Sequence, residues 1–98
     1  MAANKKLTPL ISGRTIHTVS QIDALATISF TDGSSLMIKT GSPLRQLELQ
    51  NLRVQKVRQS GTQMSLDFED GATAEIELAE ATSSVMLRDG RGVLEYAD

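Results

Sequence analysis

Residues 52–78, LRVQKVRQSGTQMSLDFEDGATAEIEL, can be laid on residues 14–40, RTIHTVSQIDALATISFTDGSSLMIKT, at a constant offset of 38 and without a gap. Six positions are then identical: Val19/Val57, Gln21/Gln59, Phe30/Phe68, Asp32/Asp70, Gly33/Gly71 and Ile38/Ile76. Ile16/Val54, Ile28/Leu66 and Ser35/Thr73 keep their character. What repeats is apolar positions and a turn, the parts of a sequence that specify a fold.

Each copy alternates with a period of two. In the second copy Met64, Leu66 and Phe68 are separated by Ser65 and Asp67, and Ala74, Ile76 and Leu78 by Glu75 and Glu77. In the first, Ala26, Ile28 and Phe30 lead to Leu36 and Ile38. This is the pattern of strands with one buried and one wet face. Parity then selects the turn. A two-residue loop at Asp70-Gly71 sets apolar side chains opposite polar ones along the whole ladder. A three-residue loop, Glu69-Asp70-Gly71, sets Leu66 opposite Ala74 and Met64 opposite Ile76, with glycine in the left-handed position of a G1 bulge. Thr31-Asp32-Gly33 does the same for Ile28 and Leu36 and for Ala26 and Ile38.

The strand that opens each copy breaks the period, because Ile16 and Val19, like Val54 and Val57, are three apart. One extra residue in a β-bulge returns both side chains to one face. With a tight turn at Ser60-Gly61, Val57 is expected opposite Met64, Val54 opposite Leu66 and Leu52 opposite Phe68, with Arg53 beside Asp67. Each copy reads as a three-stranded antiparallel meander.

Residues 1–13 carry no strand pattern and are expected to be a flexible N-terminal segment. The connector 41–51 reads as a loop with at most one or two helical turns over 42–48, started by Ser42-Pro43; Leu47 and Leu49 fit a strand equally well. Val85–Leu87 and Val93–Tyr96 flank the sequence RDGRG and read as a C-terminal hairpin over 85–96. The expectation is one all-β domain over 14–98. Its two tandem meanders and hairpin, about eight short strands, form a small sandwich or barrel with a pseudo-twofold axis.

Composition narrows the function classes. With 98 residues the chain makes a single core. Ten basic residues against twelve acidic ones give no electrostatic pull toward nucleic acid or an anionic membrane. The absence of cysteine excludes disulfides, iron–sulfur clusters and cysteine nucleophiles. The apolar run after Lys5-Lys6 is broken by Thr8, Pro9 and Ser12, so the core of a signal peptide is missing, and a cytoplasmic location is expected.

Chemistry-bearing constellations are sparse. His17 is the single histidine, and its counterpart is Gln55 at the expected bulge, so it reads as structural or solvent-facing. Asp67, Glu69, Glu75 and Glu77 fall on the wet side of their strands, so their spacing follows from amphipathicity and not from acid–base work. Arg53, Lys56 and Arg58 form a short basic face, but the chain has only three aromatics, Phe30, Phe68 and Tyr96, too few for base stacking. No phosphate-loop or dinucleotide fingerprint is present. The RDGRG tip has no counterpart in the first copy, and Arg88 and Arg91 on a glycine-rich loop are the candidates for contact with an anion or a partner.

Two readings result, neither calling for a cofactor or a metal. The favoured one is a non-enzymatic binding or assembly module, with a homo-oligomer formed through a sheet edge or the C-terminal hairpin. The alternative is a small-ligand (anion) binding or hydrolytic domain that uses a pocket near residues 88–92, with Arg88 and Arg91 gripping the ligand.

Overall fold

The alternating segments form two antiparallel sheets in the computed structural model, which describes residues 2–45 and 47–98. The elements are β1 (Ala2–Ala3), α1 (Thr8–Ile11), β2 (Ile16–Ile22), β3 (Leu25–Phe30), β4 (Ser35–Lys39), β5 (Val54–Ser60), β6 (Gln63–Phe68), β7 (Thr73–Glu77), β8 (Val85–Arg88) and β9 (Leu94–Ala97). One sheet has the order β1-β5-β6-β7 and the other β2-β3-β4-β8-β9. Their apolar faces share one core, with Phe30 and Phe68 at 2% and 1% exposure in equivalent places. No helix among the described residues is long and apolar enough to cross a membrane.

The Asp-Gly turns close as parity requires. Leu66 pairs with Ala74 and Met64 with Ile76, and in the first copy Ile28 pairs with Leu36 and Ala26 with Ile38. Gly33 and Gly71 have φ values of +89° and +93°, and each donates its N–H to the preceding phenylalanine carbonyl at 3.1 Å. Asp32 and Asp70 complete the turns by accepting the N–H of Ser34 and Ala72. The bulges also lie where the broken period puts them: pairing shifts between Ile16 and Thr18 and between Val54 and Lys56. His17 and Gln55 are the extra residues, and both are exposed.

The hairpin register of the second copy differs from the expected one. Ser60 pairs with Gln63, so the loop is Gly61-Thr62, Val57 faces Leu66 and Val54 faces Phe68. A slip of two residues keeps every side chain on its face, so alternation alone does not distinguish the two registers. The slip moves the ion pair: Arg58, not Arg53, binds Asp67 with two hydrogen bonds of 2.8 and 2.9 Å, and Arg53 pairs with Glu69.

Residues 2–12, expected to be a flexible lead-in, are packed. Ala2 and Ala3 pair with Gln59 and Arg58 as a short edge strand. The Asn4 carboxamide oxygen accepts the N–H groups of Lys6 and Leu7, which starts the turn leading into α1. Leu7 and Ile11, one helical turn apart, are both fully buried. The burial of two large aliphatic side chains, about 1.5–3 kcal/mol each, holds the segment in place. In the connector no helical turn forms over 41–45 or 47–51, and residue 46 lies outside the described residues.

The offset of 38 governs the joints between the sheets as well. Thr15 bridges to Arg53 and Thr40 to Leu78, and each pair is a residue and its own twin. The surrounding hydrogen bonds come in exchanged pairs. Ile16 N–H donates to Leu52 O and Val54 N–H to Arg14 O, both at 2.9 Å; Gly41 N–H donates to Glu77 O and Ala79 N–H to Lys39 O, again at 2.9 Å. Reciprocal exchange between equivalent residues defines a local twofold axis at each joint.

The Asp-Gly turn yields a test of this architecture. A Cβ added at Gly71 meets no atom within 4 Å, so Gly71→Val perturbs the backbone alone. It is expected to destabilise by at least about 1 kcal/mol in urea denaturation, because a β-branched residue is forced to positive φ. Parent-like stability would refute the turn.

Candidate functional site

The sequence candidates with chemical character are mostly engaged in holding their own strands. On the outer face of the four-stranded sheet, Asp67 accepts from Arg58 and from Thr73 Oγ1, and Glu77 accepts from Thr62 Oγ1 and Gln63. No group of three or more metal-ligating side chains occurs among the described residues. His17 stands exposed at its bulge.

The 88–92 loop is a closed unit. Arg88 Nη1 donates to Gly92 O at 2.8 Å, and the Asp89 carboxylate accepts the N–H groups of Arg91 and Val93. The Asp89 carboxylate therefore takes the backbone donors that the anion reading assigns to a ligand. Arg88 is half-buried against its own loop and Arg91 is exposed. The loop also docks on the first Asp-Gly turn. A Cβ at Gly90 would approach Asp32 O to 3.3 Å, a tight contact that a small shift of the turn would have to relieve. Arg14 bridges the same junction, with Asp32 at 3.6 Å and Glu95 at 3.0 Å.

A surface that sequence reading did not single out emerges when twin positions on the outer faces are compared. Along β5, β6 and β7 the outward side chains include Lys56, Arg58, Asp67, Glu75 and Glu77, five charges. The equivalent outward positions of β2, β3 and β4 hold Thr18, Ser20, Ser29, Met37 and Lys39, a single charge. Two further outward positions are Ile22 and Leu25, where the second copy has Ser60 and Gln63. Ile22 is 71% exposed and Leu25 37%. The C-terminal hairpin extends this apolar face: Met86 pairs beside Met37 on one side and Ala97 on the other, and Leu94 is exposed. A groove of about 420 Å³ lies beside it, lined by Leu25, Met37, Val85, Met86 and Ala97 together with the polar Lys39, Ser83, Ser84 and Asp98. The signal was present in the offset itself, in pairs such as Met37/Glu75, but it requires reading the outward residues of the repeat and not only the inward ones.

No known protein family, curated protein or solved structure matches this chain.

The charged face makes stability depend on acid. The Arg58 guanidinium, with help from Thr73, holds the Asp67 carboxyl below its ordinary range against desolvation. The Ser34 hydroxyl chiefly, then the Ser34 amide and the Arg14 charge, do the same for Asp32. A carboxyl whose folded pKa lies below its unfolded value of about 3.9 binds protons less readily when folded, so its contribution is complete above that value and lost as pH falls through the folded pKa. Stability measured by urea denaturation is expected to decline below about pH 4, and less steeply in Asp67→Asn. An identical acid limb in parent and variant would remove Asp67 from this role.

Proposed function

We propose that this protein is a non-enzymatic binding or assembly module whose working surface is the outer face of the five-stranded sheet. The observation that carries the reading is the contrast between the twin faces. The same scaffold carries five charges on one sheet where the other has Thr18, Ser20, Ser29, Met37 and Lys39, and it has Ile22 and Leu25 where the charged copy has Ser60 and Gln63. The charged copy is this fold's own example of a face made for water. Its twin exposes apolar side chains around the Met37–Met86 pair, and exposed apolar surface of this kind marks interaction sites. Two methionines at the centre suit it to contact, because unbranched thioether side chains adapt to a facing surface.

The C-terminal hairpin contributes Met86, Leu94 and Ala97 to this face and ends the sheet in the unpaired edge of β9. Covering the face and that edge with a second copy resolves both the apolar exposure and the open edge. The closed hydrogen-bonding of the 88–92 loop gives no support to the anion reading of Arg88 and Arg91.

Met37→Glu tests the proposal, since it installs the residue that the twin position already carries as Glu75. Light scattering coupled to size-exclusion chromatography is expected to show a dimer for the parent at high micromolar concentration and a monomer for Met37→Glu, with thermal midpoints alike. A parent that remains monomeric into the millimolar range, or a dimer indifferent to Met37→Glu, would overturn self-assembly through this face.

A further inference from the structure

Two sulfur atoms sit at the centre of the outer face of the five-stranded sheet. Paired residues run in one row across all five strands: Ser20 beside Thr27, Thr27 beside Met37, Met37 beside Met86 and Met86 beside Ala97. The two methionines are the large apolar side chains of that row. At the offset of 38 their twins are Glu75 and Glu48, both exposed. The other half of the chain thus carries a carboxylate at each position where this face carries a thioether.

The chain has four methionines and no cysteine, so its oxidisable sulfur is all thioether. Met64 is fully buried on β6, and Met1 lies outside the described residues. Met37 and Met86 are half-buried on the outer face, within reach of a small oxidant. Directly opposite residues on adjacent strands hold their Cβ atoms about 4.5–5.5 Å apart. The pair is therefore one patch, and a chemical change at both sulfurs alters one point of the surface.

We propose that Met37 and Met86 form an oxidation site, at which a peroxide converts both to methionine sulfoxide and releases the assembled chain as monomer. The proposal rests on the reading of this face as the surface that pairs two copies. In the step, the thioether sulfur attacks one peroxide oxygen, an S–O bond forms and the O–O bond breaks. The second oxygen leaves as hydroxide and takes the proton of the first, giving water. Sulfur is oxidised by two electrons and the peroxide is reduced by two. The product is a polar group in place of an apolar one, and burying it against an apolar surface without a donor is unfavourable. Oxidation thus does at two positions what Met37→Glu does at one, and enzymatic reduction of the sulfoxide restores the thioether.

To test this, the full chain is treated with hydrogen peroxide at low micromolar concentration and its sulfoxides are located by peptide mass spectrometry. It is then concentrated for light scattering coupled to size-exclusion chromatography. Met37 and Met86 are expected to oxidise together and well before Met64, with the far-ultraviolet circular dichroism unchanged. The dimer dissociation constant is expected to rise at least about tenfold. The double variant Met37→Leu/Met86→Leu keeps the face apolar without sulfur, and is expected to be dimeric before and after peroxide. Oxidation of Met64 as fast as the pair, loss of the folded signal, a dimer that persists with both sulfoxides in place, or release of the double variant by peroxide would each overturn the switch. An untreated parent that stays monomeric is a separate failure, which removes the dimer reading and the switch with it.

Discussion

The exchanged backbone bonds at the two sheet joints hold the two halves of this structure together. Each half is a three-stranded meander whose apolar face is useless alone, because a small isolated sheet has nothing to bury it against. Thr15 against Arg53 and Thr40 against Leu78 fix the faces in contact at two corners. With those corners set, Phe30 and Phe68 enter the core from opposite sides. The remaining segments are accessories to that arrangement. β1 and α1 cover one edge of the second meander and the β8–β9 hairpin extends the first, so that two similar halves acquire different surroundings.

The repeated glutamines show how one residue serves both surroundings. Gln21 donates to Asp23 O and Thr40 Oγ1, and its carbonyl accepts the Leu44 N–H, tying the connector to the first sheet. Gln59 accepts from Asn4 and donates to Ala81 O, tying the N-terminal segment and the later linker to the second. A primary amide has donors and an acceptor on one head, so it satisfies loose backbone groups on either side of a strand end. The identity of this polar pair in the two copies has a structural explanation of the same kind as that of the Asp-Gly turns.

Sequence patterning revealed those features that a one-residue error would invert. The Asp-Gly loops and both bulges are of this kind, because any other choice puts apolar side chains in water. It did not resolve the Gly61-Thr62 turn, where a slip of two residues conserves every face, and so it misassigned Arg58's partner to Arg53. It passed over Leu7 and Ile11 because a single helical turn is too short to show a helical period. The candidate surface was visible in part: Ile22, Leu25 and Met37 contrast with their twins in the sequence. The contribution of Met86 and Ala97 depends on which strand β8 joins, and β8 has no paired twin to reveal it.

The junction of Asn4 with Tyr96 has a topological consequence. The Asn4 amide nitrogen lies 3.2 Å from the Tyr96 hydroxyl, although 92 positions separate the two residues along the chain. The path from one to the other is therefore almost a ring. Joining the ends across that gap would require only a short link, and a chain reopened elsewhere, at the exposed Gly61 loop for instance, would have the same contacts to make in a different temporal order. The fold is in this sense a closed circuit from Asn4 to Tyr96.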